Sequence, residues 1–288
     1  MDKMLLIFGL GYSGRAIALA AQQAGWRVTA SFRRADTPMP PGIAGIPCAE
    51  AAPAIAAATH VLTTVPPGDA GDPILAQYTA EIRTASRLRW VGYLSTTGIY
   101  GDHGGNWVDE ATDPHPHADR SVRRLLAEQA WQKVGDRRAV DIFRLAGIYG
   151  PQNSVFDDLR AGKSRRVIKP GHAFGRIHRD DIAGAVLAAL AQDPPPGQRI
   201  FNLADDEPAE SATVITAAAR LLGIAPPPEI PFAEAWASMR PMARSFWADN
   251  RKVSSRRTQE ILHYGWRYPS YREGLAAILA EEAANHAT

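Results

Sequence analysis

Apolar positions in this chain fall into short blocks that alternate between two periods. Residues 5–8 (Leu-Leu-Ile-Phe) are continuously apolar and run into a glycine-rich turn, and residues 26–32, 60–65, 90–95 and 140–145 form similar blocks. Short apolar runs bounded by turn signals read as strands buried on both faces. Between them stand stretches with the period of a helix: the Ala-rich 15–24, closed by Gly25, then 74–88 and 121–134. Strand and helix in regular turn predict a parallel sheet covered by helices on both sides. Beyond Gly150 and Pro151 the alternation loosens. There the pattern predicts a helix over 180–192, with Asp180 or Asp181 near its start, a strand over 199–203 and a helix over 211–222. A stiff Pro226-Pro227-Pro228 linker and a helical tail from Tyr271 follow.

The turn after the first block carries Gly9, Gly11 and Gly14, spaced G-x-G-x-x-G between a strand and a helix. Gly9 permits the turn, Gly11 lets backbone approach a pyrophosphate, and Gly14 lets the helix pack close to the strand. The helix start, with Tyr12 and Ser13, adds free N–H groups and the positive end of a dipole. Strand before and helix after are the context that gives this spacing its meaning as a dinucleotide site. The predicted fold class is therefore α/β, a Rossmann-type doubly wound parallel sheet with a small C-terminal substrate lobe. Residues 1–170 are assigned to the dinucleotide-binding core. Residues 171–288 are assigned to a mixed segment that returns one strand to the core and forms the lobe.

Bulk composition narrows the partners. The chain has 288 residues, 45% hydrophobic and 22% charged, with a net charge of +2. These proportions are ordinary for a globular protein, and the near-neutral charge gives no case for nucleic acid. No stretch approaches the ~20 apolar residues of a membrane span. The N-terminal apolar run lacks the basic leader of a signal peptide, so the expected location is the cytoplasm. Cys48 is the sole cysteine, which excludes an intrachain disulfide and a multi-cysteine metal site. Cys48 reads as a small buried or half-buried residue, and no metal site is expected.

Further blocks resemble a known family. Residues 94–101 (Leu-Ser-Thr-Thr-Gly-Ile-Tyr-Gly), Asp109-Glu110 with Pro114, residues 144–151 (Arg-Leu-Ala-Gly-Ile-Tyr-Gly-Pro), residues 176–183 (Arg-Ile-His-Arg-Asp-Asp-Ile-Ala) and Phe201-Asn202-Leu203 follow one another in order. They resemble successive motifs of the extended short-chain dehydrogenases/reductases, the NAD-dependent epimerase/dehydratase family, over most of the chain. Two departures stand out. Phe8 occupies the place of that family's first glycine. The family's proton-relaying Tyr-x-x-x-Lys pair is also missing: Arg120 stands in the tyrosine's place and Arg124 in the lysine's. Arginine stays protonated in proteins, so Arg120 is no general base, whereas Arg124 can still hold ribose hydroxyls. The pattern resembles the atypical extended branch that lacks the tyrosine, and related chains often pair as homodimers beside this helix.

The resemblance and the strand ends supply the remaining candidates. Thr96 matches the hydroxyl that contacts the reacting oxygen, with Thr97 a weaker version; either can instead satisfy local backbone. Tyr100 and Tyr149 end strands and can replace the missing proton donor or merely pack. His115, His117 and His178 are further donors by chemistry, though His115 and His117 also read as an exposed loop and His178 as a structural residue beside a helix cap formed by Asp180 or Asp181. Asn202 reads as a backbone partner near the cleft. The cofactor is expected along the glycine turn, under Thr64, Val65 and Pro66. Arg33 and Arg34 follow the second strand, where an NAD enzyme would place an acid. Guanidinium there suits a 2′-phosphate, favouring NADP over NAD, while Asp36 keeps NAD open. The basic run 251–257 is a solvated face or a contact for an anionic substrate.

These features predict an NAD(P)-dependent oxidoreductase or epimerase-like protein acting on a small polar or sugar-derived substrate. The alternative is an NAD(P)-binding redox-sensing or regulatory protein that turns nothing over.

Overall fold

In the computed structural model, residues 3–135 and 137–286 are described. Seven parallel strands form the central sheet: β1 (Met4–Phe8), β2 (Arg27–Phe32), β3 (Ala44–Pro47), β4 (His60–Thr63), β5 (Trp90–Thr96), β6 (Ala139–Leu145) and β7 (Gly197–Leu203). Their spatial order is β7-β6-β5-β4-β1-β2-β3. The order reverses between β1 and β4, and ligands of open α/β sheets bind at the carboxyl ends beside such a reversal.

Among the described residues the α-helices are, in chain order, α1 (Tyr12–Gln23), α2 (Ala52–Ala57), α3 (Pro73–Thr84), α4 (Asp119–Gln132), α5 (Val155–Arg160), α6 (Arg179–Ala191), α7 (Ser211–Leu221), α8 (Phe232–Ser238), α9 (Pro241–Ala248), α10 (Arg256–Leu262) and α11 (Tyr271–His286). Side chains of one strand alternate between the sheet's two faces, and β1 shows the result. Leu5 and Ile7 pack with Ile17 and Ala21 of α1 and Ile182 and Val186 of α6. Leu6 and Phe8 pack on the opposite face with Ile55 of α2, Tyr78 and Ile82 of α3 and Trp131 of α4. Each such side chain contributes roughly 1.5–3 kcal/mol by leaving water.

A third apolar cluster builds the lobe, joining Tyr149, Phe156 and Leu159 to Val214, Ala218, Tyr271, Leu275 and Ile278. The short strand Arg166–Ile168 also pairs with Glu229–Pro231. The segments 1–170 and 171–288 thus interleave: α5 and Arg166–Ile168 join the lobe, while α6 and β7 return to the sheet. No helix among the described residues is long and apolar enough to cross a membrane.

Three local expectations change. The edge strand β3 adds to the predicted strands; it contains Gly45 and Pro47, both of which an edge position tolerates. The helix expected over 74–88 ends at Thr84, with non-helical backbone at Tyr78. The start of α6 is capped by neither Asp180 nor Asp181. His178 Nδ1 accepts the Asp180 N–H at 3.2 Å. The buried Asp181 carboxylate instead accepts the N–H groups of Arg267 and Tyr268 and the Tyr264 hydroxyl, fastening the C-terminal segment to the core.

Candidate functional site

The turn from β1 to α1 sets one end of the cleft. Gly9 has φ +90°, and a Cβ there would stand 2.6 Å from Thr64 Oγ1. Thr64 donates its hydroxyl to the Gly9 carbonyl at 2.9 Å and so ties the turn to the end of β4. A Cβ on Gly14 would stand 2.3 Å from the Gly9 carbonyl oxygen. Gly11 differs, since nothing lies within 4 Å of a Cβ built on it. Two of these glycines therefore serve packing and the third leaves room for something beyond the protein. No side chain caps the start of α1, so its first N–H groups, which lack helical acceptors, open on a cavity of about 390 Å³. Gly11, Tyr12, Ser13, Gly14, Thr64 and Ser95 contribute to its lining. The Ser95 hydroxyl is buried without a hydrogen-bond partner. Donors of this kind at a helix start match the phosphates of a dinucleotide.

A second cavity of about 740 Å³ adjoins the first. Thr96, Arg124, Leu145, Ala146 and Ile148 line both, so the two form one cleft. Its size is in the range of small-molecule sites. Phe174, Arg176, Phe246 and Trp247, from the second half of the chain, also line the wider cavity.

Of the expected catalytic trio, Thr96 is at the cleft. Its Oγ1 accepts the Gly98 N–H at 3.1 Å and caps the short turn Thr97–Tyr100. The hydroxyl keeps its own proton to donate. Tyr149 lines the wider cavity, but its hydroxyl donates to the Ser270 carbonyl at 3.3 Å. Burial, reinforced by the nearby charges of Asp205 and Asp181, pushes that phenol well above its ordinary range. His178 lines neither cavity. Its ring packs edge-on against Tyr149 at 5.2 Å and lies 4.2 Å from Tyr268. Burial lowers its pKa to about 4, so it is neutral near pH 7 and serves as the acceptor that caps α6. The structure thus separates His178 from the cleft and commits the Tyr149 hydroxyl elsewhere.

The other candidates sort similarly. Tyr100 is fully buried; its hydroxyl donates to Asn202 at 2.8 Å and accepts from Arg144 at 2.9 Å. Asn202 also donates to the Ser254 carbonyl. His115 and His117 are exposed. Arg124 donates to the Leu94 carbonyl and the Tyr93 hydroxyl. Pro66 lines the wider cavity, whereas Val65 lines neither and packs against the apolar core. Arg34 is paired with Asp36 at 2.6 Å, which neutralises the one acid near the end of β2. Arg33 is exposed. Cys48 is half-buried.

Ser95, Asn153, Arg176, Phe246 and Trp247 line the cleft without having stood out in the sequence. Ser95 had a signal, a second hydroxyl beside Thr96. The lobe residues had none, because their placement depends on how the lobe closes over the sheet.

Comparison with known proteins places this cleft in context. No protein-family model matches the chain. A conserved protein of unknown function from Silicibacter pomeroyi is 42% identical, with a TM-score of 0.89 over 97% of this chain and 99% of that one. Protein YeeZ of Escherichia coli (strain K12) is 29% identical over 243 residues, 78% of this chain and 86% of its own. The human epimerase family protein SDR39U1 (isoform 2), solved with NADPH, superposes with a TM-score of 0.78 at 19% identity, covering 96% of this chain and 98% of that one.

Proposed function

The chain belongs to one family with the Silicibacter pomeroyi protein and has the fold of the epimerase-like extended short-chain dehydrogenases/reductases, and on that premise we propose that it binds NADP(H) along the β1–α1 turn and acts on a small polar, sugar-derived substrate in the adjoining cavity. The observation that carries this reading is the open space at Gly11, beside an uncapped helix start and the unpartnered Ser95 hydroxyl. NADPH bound to SDR39U1 supports the same assignment. Arg124 would hold the ribose from the floor of the cleft. Arg33, beyond β2, would meet the 2′-phosphate through charge-assisted hydrogen bonds, with Arg34 already neutralised by Asp36. When bound, the nicotinamide supplies hydride chemistry. Thr96 would donate its hydroxyl to the reacting oxygen. With Tyr100, Tyr149 and His178 engaged elsewhere, the proton would reach that oxygen through water along the Ser95 and Thr96 hydroxyls. Copies of the chain would pair through α4, where Val122 and Leu126 are 37% and 58% exposed one turn apart.

The test is titration of cofactor-stripped protein with NADPH and NADH, followed by fluorescence. NADPH is expected to bind more tightly, and Arg33→Ala to weaken NADPH about tenfold while leaving NADH unchanged. Binding of neither cofactor would sink the reading. A second reading, an NAD(P)-binding regulatory protein without turnover, is favoured by one observation: the Tyr100 and Tyr149 hydroxyls both donate to protein acceptors, and the His178 ring lines neither cavity. Tight NADPH binding with no cofactor oxidation across aldehydes, ketones and sugar nucleotides would select it.

A further inference from the structure

The wider cavity is lined by five arginines, Arg120, Arg123, Arg124, Arg176 and Arg251, and by one carboxylate, Asp249. Most of these guanidinium groups are already engaged. Arg123 pairs with Asp69 at 2.8 Å. Arg124 is bound to β5, as described. Arg176 donates to the carbonyls of Phe174 and Ala209 at 2.9 and 3.0 Å. Arg251 donates to the Gly101 carbonyl at 2.8 Å and pairs with Asp249 at 3.1 Å. Arg120 is the exception: it makes no hydrogen bond or ion pair with another described residue. Its guanidinium lies 3.9 Å from the centre of the Phe246 ring, half-buried between α4 and α9. A cation stacked on an aromatic face is held in place, yet its in-plane N–H donors stay free. Burial lowers the Arg120 pKa, and the field of Asp249 opposes that only in part.

The position of Arg120 fits the same purpose. It stands one helical turn before Arg124, so both face the same side of α4. The next residue, Ser121, abuts the turn after Thr96, with its Oγ 2.9 Å from where a Cβ on Gly98 would lie. The resemblance to the extended dehydrogenases puts a proton-relaying tyrosine at this place. Here the place holds a permanent cation with five unused donors, in a cavity whose lining carries excess positive charge.

We propose that Arg120 is an oxyanion anchor, and that the ligand of the wider cavity is a small acid whose carboxylate or phosphate accepts paired N–H bonds from Arg120. This deepens the reading given above. That the acid is the substrate rests on that reading, whereas the anchoring itself stands on the cavity and its arginines. Phe246 holds the guanidinium plane from the α9 side.

Two probes distinguish the sources of such a group: malonate for a carboxylate and phenyl phosphate for a phosphate. Each is titrated calorimetrically, at about 0.15 M salt, into NADPH-saturated wild-type protein and into Arg120→Gln and Arg120→Lys. At least one probe is expected to bind the wild type, to lose tenfold or more in Arg120→Gln, and to lose less in Arg120→Lys, which keeps the charge without the fork. The stronger probe identifies the acid. NADPH affinity and melting temperature are expected to stay unchanged in both variants. Equal probe affinity in wild type and Arg120→Gln, or no binding of either probe to the wild type, would overturn the proposal. Failure of NADPH to bind would defeat the cofactor reading alone, because the difference between wild type and Arg120→Gln still reports on the anchor.

Discussion

Gly11 and Gly14 are three positions apart and chemically identical, yet the structure assigns them opposite work. A methyl on Gly14 would collide with the Gly9 carbonyl oxygen, which is backbone and cannot move aside. Gly14→Ala is therefore expected to destabilise the fold by roughly 2–3 kcal/mol, a cost typical of overpacking. A Cβ on Gly11 meets no protein atom within 4 Å. Gly11→Val is expected to leave the melting temperature within a few degrees of wild type and to abolish NADPH binding, since its methyl groups enter the space the phosphates need. Thermal melts paired with cofactor titration check both variants. A Gly11→Val protein with wild-type affinity would show that the turn binds nothing. Spacing alone made the turn legible in the sequence. It could not separate packing glycines from the open one, because that depends on where Thr64 and the Gly9 carbonyl end up.

Helix α4 carries Ser121, Arg120 and Arg124 to the cleft, and a buried ion pair sets its position. Arg144 of β6 meets Glu128 of α4 at 2.9 Å, with side chains 4% and 1% exposed. Arg144 also donates to Tyr100, which closes a network from the helix to the end of β5. Removing one charge leaves the other buried alone, at a cost of about 3–5 kcal/mol. Glu128→Gln is expected to lose most of that in urea denaturation, whereas the double variant Glu128→Leu/Arg144→Met should recover a good part. If the single and double variants were equally unstable, the loss would come from packing and not from the stranded charge. The extent of α4 was readable from its helical period. The pair was not, because Glu128 and Arg144 are far apart in sequence and both residue types usually lie at the surface. The same limit hid β3, whose breakers are harmless only at an edge, and the true cap of α6, where histidine does what aspartate usually does. For the ion pair and for β3 the deciding partner came from another element; for the cap it was the residue just before α6.

For the molecule as a whole, buried titratable groups tie stability to pH. His60, His172 and His178 are each held at a pKa of about 4 by burial, below the ordinary 6.5. Between those values the unfolded chain takes up protons that the folded one refuses, so stability falls as pH drops from 6.5 and the loss is complete near pH 4. Asp205 runs the other way. Burial raises it to about 8, so it stays protonated in the fold and its contribution fades as pH rises from about 4 to 8. In His178→Asn, asparagine can still cap α6 but no longer titrates. Its stability relative to wild type is expected to improve by up to ~3 kcal/mol between pH 6.5 and 4, measured by urea denaturation at each pH. A pH-independent difference would mean that His178 charges equally in both states.

The interleaving of core and lobe also has a consequence in time. Every residue lining the narrower cavity lies at or before Asn153, whereas the wider cavity is finished only by Val253. On a ribosome adding roughly 5–20 residues per second, the second half follows the first by roughly 5–20 s. A growing chain therefore owns every residue of the narrower cavity well before it owns those that complete the wider one, and on the proposed reading a nucleotide in the cell could reach its partners while the lobe is still being made.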